Sequence, residues 1–252
     1  MLKIKMQPMF KYSISLCIML MSCFALAQDD DSVSRDSLKF KEKYGLRLGA
    51  DAGKLARTFL DKDYTGFEIN GDYRLTYRLY IAGELGTEER TTSTDFLNST
   101  AKGSYFKAGI DYNMYRNWLG MENMIYAGFR VSASTFSQTI NSYTIFNTNQ
   151  TFPQPTITEA REIDGLTALW GELIIGVKAE TLNNLYVGLN IQFKGLISET
   201  EPDNFENVYI PGFGRTFDSG SFGIGFGYNI SYLIPIFKKE KTVVVESAED
   251  DS

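Results

Sequence analysis

No histidine occurs in the 252 residues, so the chain lacks the one side chain whose ordinary pKa lies near neutrality. Hydrolases and acyltransferases that activate a hydroxyl or water with a Ser–His or Asp–His pair have no base here. Cysteine is almost as scarce: Cys17 and Cys23 both lie near the start, so past residue 23 there is neither a disulfide nor a thiolate for tight zinc or copper sites. Positive charge is in deficit, with 25 Lys and Arg against 31 Asp and Glu, a net charge of −6 and a pI near 4.9. Without a cluster of Lys and Arg on any face, a nucleic-acid partner is disfavoured. The longest apolar run, Leu16 to Leu26, falls short of the roughly 20 residues a membrane helix needs.

What the N-terminus does contain is Lys3, Lys5 and Lys11 ahead of that run, which closes on Ala25-Leu26-Ala27. This is the pattern of a secretory signal peptide over 1–27, cut before Gln28. Leu20-Met21-Ser22-Cys23 loosely resembles a lipobox, so lipidation of Cys23 stays open as an alternative. A periplasmic N-terminal segment is expected over 28–43, a single β domain over 44–237, and an acidic periplasmic tail over 238–252.

From residue 44 onward the chain alternates with period 2, the spacing of side chains on a strand. Eight segments show it: Leu46, Leu48, Ala50, Ala52; Phe67 to Tyr77; Leu79 to Leu85; Phe106 to Met114; Ile125 to Ala133; Leu169 to Ala179; Leu185 to Phe193; and Phe222 to Ile234. Their apolar faces carry no charge, although 22% of the chain is charged. In SFGIGFGYNISYLIPIF, bulky residues alternate with Gly223, Gly225 and Gly227, which leave room for long side chains from facing strands. Alternation alone does not separate a membrane sheet from a soluble one. Connection lengths do: longer loops (between the first two strands, then near 88–103, 137–165 and 199–218) alternate with short links. That order predicts an all-β fold, an eight-stranded antiparallel up-and-down transmembrane β-barrel with short turns and both termini in the periplasm and long loops outside the cell. Aromatic girdles are expected from Tyr77, Tyr112, Tyr115, Trp118, Tyr232 and Phe237 at one rim and from Phe67, Phe136 and Phe222 at the other.

The segment YGLRLGADAGKLARTFLDKDYTGFEINGDYRLTYRLYIAGELG and the last strand resemble a family of small outer-membrane β-barrel proteins from Bacteroidota, designated a domain of unknown function. The resemblance implies the outer membrane and a barrel akin to the OmpA and OmpX type, and it brings no catalytic residues. The tail after Phe237 departs from the terminal aromatic that assists assembly of many such barrels.

The faces opposite the apolar ones carry Asp51, Glu68, Asp72, Glu84, Asp111, Glu172 and Glu180, and Arg47, Arg74, Lys107, Arg130, Lys178 and Lys194. An eight-stranded barrel holds only side chains in its interior, so these charges predict a lumen ion-pair network rather than an open channel. A second candidate is a patch of small residues on the outer face, Ala50 and Ala52 beside Gly71, and Gly71 beside Gly83, where another envelope protein could approach the first three strands. Calcium on loop carboxylates Asp61, Asp63, Glu88, Glu89 or Asp203 matches no ligand-loop spacing, and no cofactor is expected. The loop 141–165 is a candidate partner surface whose ends could extend the barrel as a hairpin. In the tail, Val243 to Val245 could add as a strand to a periplasmic partner, although disorder is favoured there. The predicted role is non-enzymatic, structural or associative; the alternatives are an accessory subunit of an outer-membrane assembly or secretion complex and a lateral transporter of a small apolar ligand.

Overall fold

The computed structural model describes residues 37–115, 122–145, 155–202, 205–216 and 220–244. Two compact units are distinguished, Lys39–Lys241 and Met1–Leu38 with Thr242–Ser252. The second, with the expected signal peptide, lies almost wholly outside the described residues. Among the described residues the chain forms a sheet of β1 (Ser37–Asp51), β2 (Tyr64–Arg74), β3 (Leu79–Ser93), β4 (Leu97–Asn113), β5 (Met124–Thr144), β7 (Arg161–Leu182), β8 (Leu185–Glu199) and β11 (Phe222–Val244), with one helix, α1 (Ala52–Leu60). Each strand pairs with the next, and β1 pairs with β11, so eight strands close into an antiparallel ring. β6 (Thr156–Ile157) pairs with Tyr143 and Thr144 at the end of β5, and β9 (Tyr209–Ile210) forms a separate hairpin with β10 (Gly214–Arg215).

Burial is inverted relative to a water-soluble domain. Leu173 is 60% exposed while its neighbours Glu172 and Ile174 are buried at 0% and 2%. The registers carry this across strands: Ile81 faces Ile110, Phe129 faces Leu173, Ile175 faces Ile191 and Ile191 faces Phe226, all outward. At one level the outward row changes from apolar to hydroxyl, through the paired residues Thr87 and Ser104, Ser104 and Thr135, Thr135 and Thr167. Above it the strands continue, because Thr and Ser still favour extended pairing when nothing apolar faces outward.

That continuation corrects the expected connections. The stretch read as a loop over 88–103 is strand except for the turn between Ser93 and Leu97, and Thr91 and Thr100 hydroxyls meet across it at 3.0 Å. The ends of the loop 141–165 are strand up to Thr144 and from Arg161, with β6 continuing the hairpin. β1 and β11 also run past the expected limits of 44 and 237, and β11 reaches Val244, within the segment expected to be disordered. Phe136, expected in a girdle, is buried at 4% inside the ring, since it follows the outward Thr135. Trp118 lies outside the described residues.

A second correction concerns Ala52. It does not extend the first strand's outward row; it begins α1. Asp51 turns the chain: its Oδ1 accepts from Lys54 N–H at 2.9 Å as an N-cap. Lys54 and Thr58 then face inward on one stripe, while Phe59 and Leu60 face outward at 85% exposure. Inside the mouth, the β9–β10 hairpin inserts Ile210 and Phe213 against Tyr105, Phe136, Leu166 and Trp170. Gly212 makes this insertion feasible, having φ +83° and the Tyr105 ring where a Cβ would stand. Asp51→Ala should cost about 1 kcal/mol through loss of the cap. The shift should appear in the urea midpoint, with hydrogen exchange accelerated in α1 before the strands.

Candidate functional site: the ionic lumen

Every inward charge expected from the sequence points into the ring, and most join one ladder. At the end holding the short turns, Arg47 grips Asp72 through Nε and Nη2 at 2.9 and 2.7 Å, stacked between the Tyr80 and Tyr186 rings at 5.3 and 4.7 Å. Lys178 donates to Asp72 Oδ2 at 2.7 Å, an oxygen that also accepts from Arg47 Nε at 3.1 Å, and stands 3.9 Å from Asp111. Arg130 binds Asp111 at 2.8 Å and approaches Glu84 at 3.5 Å. Lys107, wholly buried, draws together Glu84 and Glu172 at 3.2 Å and Glu68 at 3.9 Å. Arg74 pairs with Glu42 at 2.8 Å, and Glu180 with Lys43 at 3.1 Å, as a rim below this ladder.

The upper end depends on residues the strand pattern did not flag. Lys54, from α1, reaches Glu68 at 2.7 Å and Glu88 at 2.8 Å and also contacts the Tyr105 hydroxyl. Glu88 further accepts from Tyr209 O–H at 2.7 Å, Tyr64 O–H at 3.1 Å and Gly212 N–H at 2.9 Å, which fastens the inserted hairpin to the wall. Lys194 donates to the Gly212 and Phe213 carbonyls at 2.7 and 3.1 Å, and Trp170 Nε1 donates to Glu172 at 2.7 Å. Lys54 was hidden because the stretch after Ala52 reads as a loop; the spacing Leu55, Phe59 against Lys54, Thr58 is the signal that identifies the helix. Asp51 points inward but caps α1 rather than joining an ion pair.

The loop carboxylates do not converge. Glu88 faces the lumen, Glu89 faces outward to Lys102 at 3.2 Å, and Asp61 is held by Arg57 and Arg90. The Arg90 hydrogen bond keeps the Asp61 carboxyl below its ordinary range. No metal-sized cluster of carboxylates stands among the described residues, and Asp203 lies outside them. The small-residue patch is also altered. Leu48, not Ala50, opposes Gly71 and leans over it, Ala50 opposes Ile69, and Ala52 has left the row; only Gly71 and Gly83 face each other as expected.

Closely packed ion pairs of this kind hold strands in place. A carboxylate whose lone pairs are engaged by two or three cations is a poor base, and a ladder with a hairpin seated on top offers ions no wide path.

A family model described as a domain of unknown function, DUF6048, matches residues 9–239. No curated protein matches the chain. Among solved structures, Ail, the attachment invasion locus protein of Yersinia pestis, is similar with 8% identity and a TM-score of 0.38, over 77% of this chain and 97% of that one.

Lys107→Met removes one cation and strands three carboxylates, so it should destabilise the barrel by about 3–5 kcal/mol. The urea unfolding midpoint reads this loss, and a near-neutral result would mean that water fills the lumen.

Proposed function

The chain belongs to the DUF6048 family, and we propose that it is an integral outer-membrane barrel without catalytic activity, acting as a fixed scaffold for its extracellular surface. One observation carries this reading: a belt of large apolar side chains, Ile81, Ile110, Phe129, Leu173, Ile191 and Phe226 among them, faces outward at 42–62% exposure around a charged interior. Monomeric proteins in water do not expose apolar surface of this extent, whereas a closed ring with paired backbone groups can stand in hydrocarbon.

In this setting the short β2–β3 and β7–β8 turns and both termini lie in the periplasm. α1, the β3–β4 turn, the β5–β7 extension and the β9–β10 hairpin lie at the outer surface. The extension is where an envelope partner would meet the protein: it rises past the hydroxyl row, and Tyr143 stands edge-on to Phe205 with 5.3 Å between centroids. A role as accessory subunit of a larger complex would use the same surface.

Leu173→Arg should cost about 2–4 kcal/mol in phospholipid vesicles, the penalty for a cation near the bilayer midplane; in water the same exposed site would tolerate it. For topology, an epitope inserted at Asp95 should bind antibody on intact cells, and one after Ser252 only after permeabilisation. Reversal of that pattern overturns the orientation.

A further inference from the structure

The seam at which the ring closes is complete only over part of its height. Gly49 lies against the Ile230 carbonyl, Gly53 against the Tyr228 ring, and Tyr228 N–H points to Asp51 Oδ2 at 3.4 Å. β1 therefore ends opposite Tyr228, whereas β11 continues to Phe222, about 20 Å further at the rise of an extended strand. β8 holds that stretch on one side, from Phe222 against Gly195 to Phe226 against Ile191. On the other side the chain has turned into α1.

The helix does not bridge the space evenly. It leans on β2, where the Thr58 hydroxyl donates to the Gly66 carbonyl at 2.9 Å and accepts from Gly66 N–H at 2.8 Å, taking over the edge β1 has left. β11 receives no such cover. Since Tyr228 N–H points toward β1, the backbone of Phe226 and Ile224 faces the same way and has no strand partner there among the described residues. Exposure rises along this edge, from 49% at Ile230 to 62% at Phe226, 66% at Ile224 and 81% at Phe222.

A cavity of about 460 Å³ occupies this slot, lined by lumen groups such as Lys194 and Gly225 and by the outward Ile224 and Phe226, so it passes through the wall. Its charged lining is Lys54, Arg57, Arg90, Lys194, Arg215 and Glu88; Lys54 is paired with Glu68 and Glu88, while Arg57 and Arg90 share one carboxylate, Asp61, between them, in a chain whose net charge is −6. A second hollow of about 390 Å³ lies on the outer face between Ile175, Val177, Leu189 and Ile191, and it shares Phe226 and Tyr228 with the slot.

We propose that this slot is a lateral portal that binds an amphiphile with an anionic headgroup, a phosphate or carboxylate, with its apolar chain lying in the outer hollow. The proposal rests on the outer-membrane reading given above. A free anion would need the cations but not the hollow, and a neutral lipid would use the hollow but not the cations. Phe226 and Tyr228 line both spaces, so the two adjoin, and this selects a ligand that carries both parts. The headgroup would also accept from the Ile224 and Phe226 N–H groups, which hydrocarbon cannot satisfy.

The test uses the full chain in phosphatidylcholine nanodiscs with diazirine-labelled phosphatidylglycerol or diazirine-labelled phosphatidylcholine, the adducts being mapped by mass spectrometry. Phosphatidylglycerol adducts should concentrate on Phe222 to Tyr228 and on α1, well above those of phosphatidylcholine. Arg57→Gln should lower this labelling about fivefold, the effect of one cation on an anionic lipid. Gly225→Leu should block it, because a Cβ there meets Gln192 and Lys194 at 2.9 Å; since Lys194 also holds the inserted hairpin, an unchanged β-sheet circular dichroism spectrum is the control that the barrel has folded. Equal labelling by the two lipids, labelling spread evenly round the ring, or complete competition by inorganic phosphate would each overturn the portal. Adducts at Ile110, across the ring on β4, with none at the slot sink the portal and leave the membrane reading standing; no adducts anywhere sink both.

Discussion

The structure depends on one requirement, that backbone N–H and C=O groups on every strand find partners within the protein. A flat sheet leaves two edges open; this chain removes them by pairing β1 with β11. Closure decides much of the rest. It fixes an inside too narrow for water-filled space, it forces alternate residues outward on every strand, and it makes the sequence pattern of each strand answer to the same two environments. Where β1 stops at Asp51 the requirement is met on one side only: Thr58 of a capped helix serves the edge of β2, while β11 has no strand partner there among the described residues.

The charged interior follows from that narrowness. Thirteen ionisable groups anticipated from the strand pattern could not each retain a hydration shell in so small a space, so all but Asp51, which caps α1, pair, and Lys107 among three carboxylates is the centre of the arrangement. Arg47 adds two aromatic faces to its bidentate carboxylate, a use of the guanidinium plane that lysine could not reproduce. The hairpin at the top is fixed by the same currency: Glu88 and Lys194 take up the polar groups of a loop that would otherwise be buried unsatisfied.

Strand identity, phase and ring order were legible because period-2 alternation is a local property, and each strand repeats it. Lengths were not. The outward row turns from apolar to hydroxyl at Thr87, Ser104, Thr135 and Thr167, and a search for apolar alternation ends there although pairing does not. The inward ion-forming residues were legible for the same local reason. Their partners were not, since Lys178 with Asp72 and Lys107 with Glu172 join strands far apart in the chain. Phe136 shows how a rule about position, aromatic near a strand end, gives way to the parity of the strand itself.

The sequence by itself determined the all-β class, the number of strands and which side chains face inward, because those follow from alternation that any extended chain must express. Only the tertiary structure decided that residues 52–60 form a helix in the wall, that Lys54 and Glu88 lock a hairpin into the mouth, and that β1 leaves the seam at Asp51. Those features arise where segments distant in sequence compete for the same edge or cavity, and no local pattern records which of them arrives there.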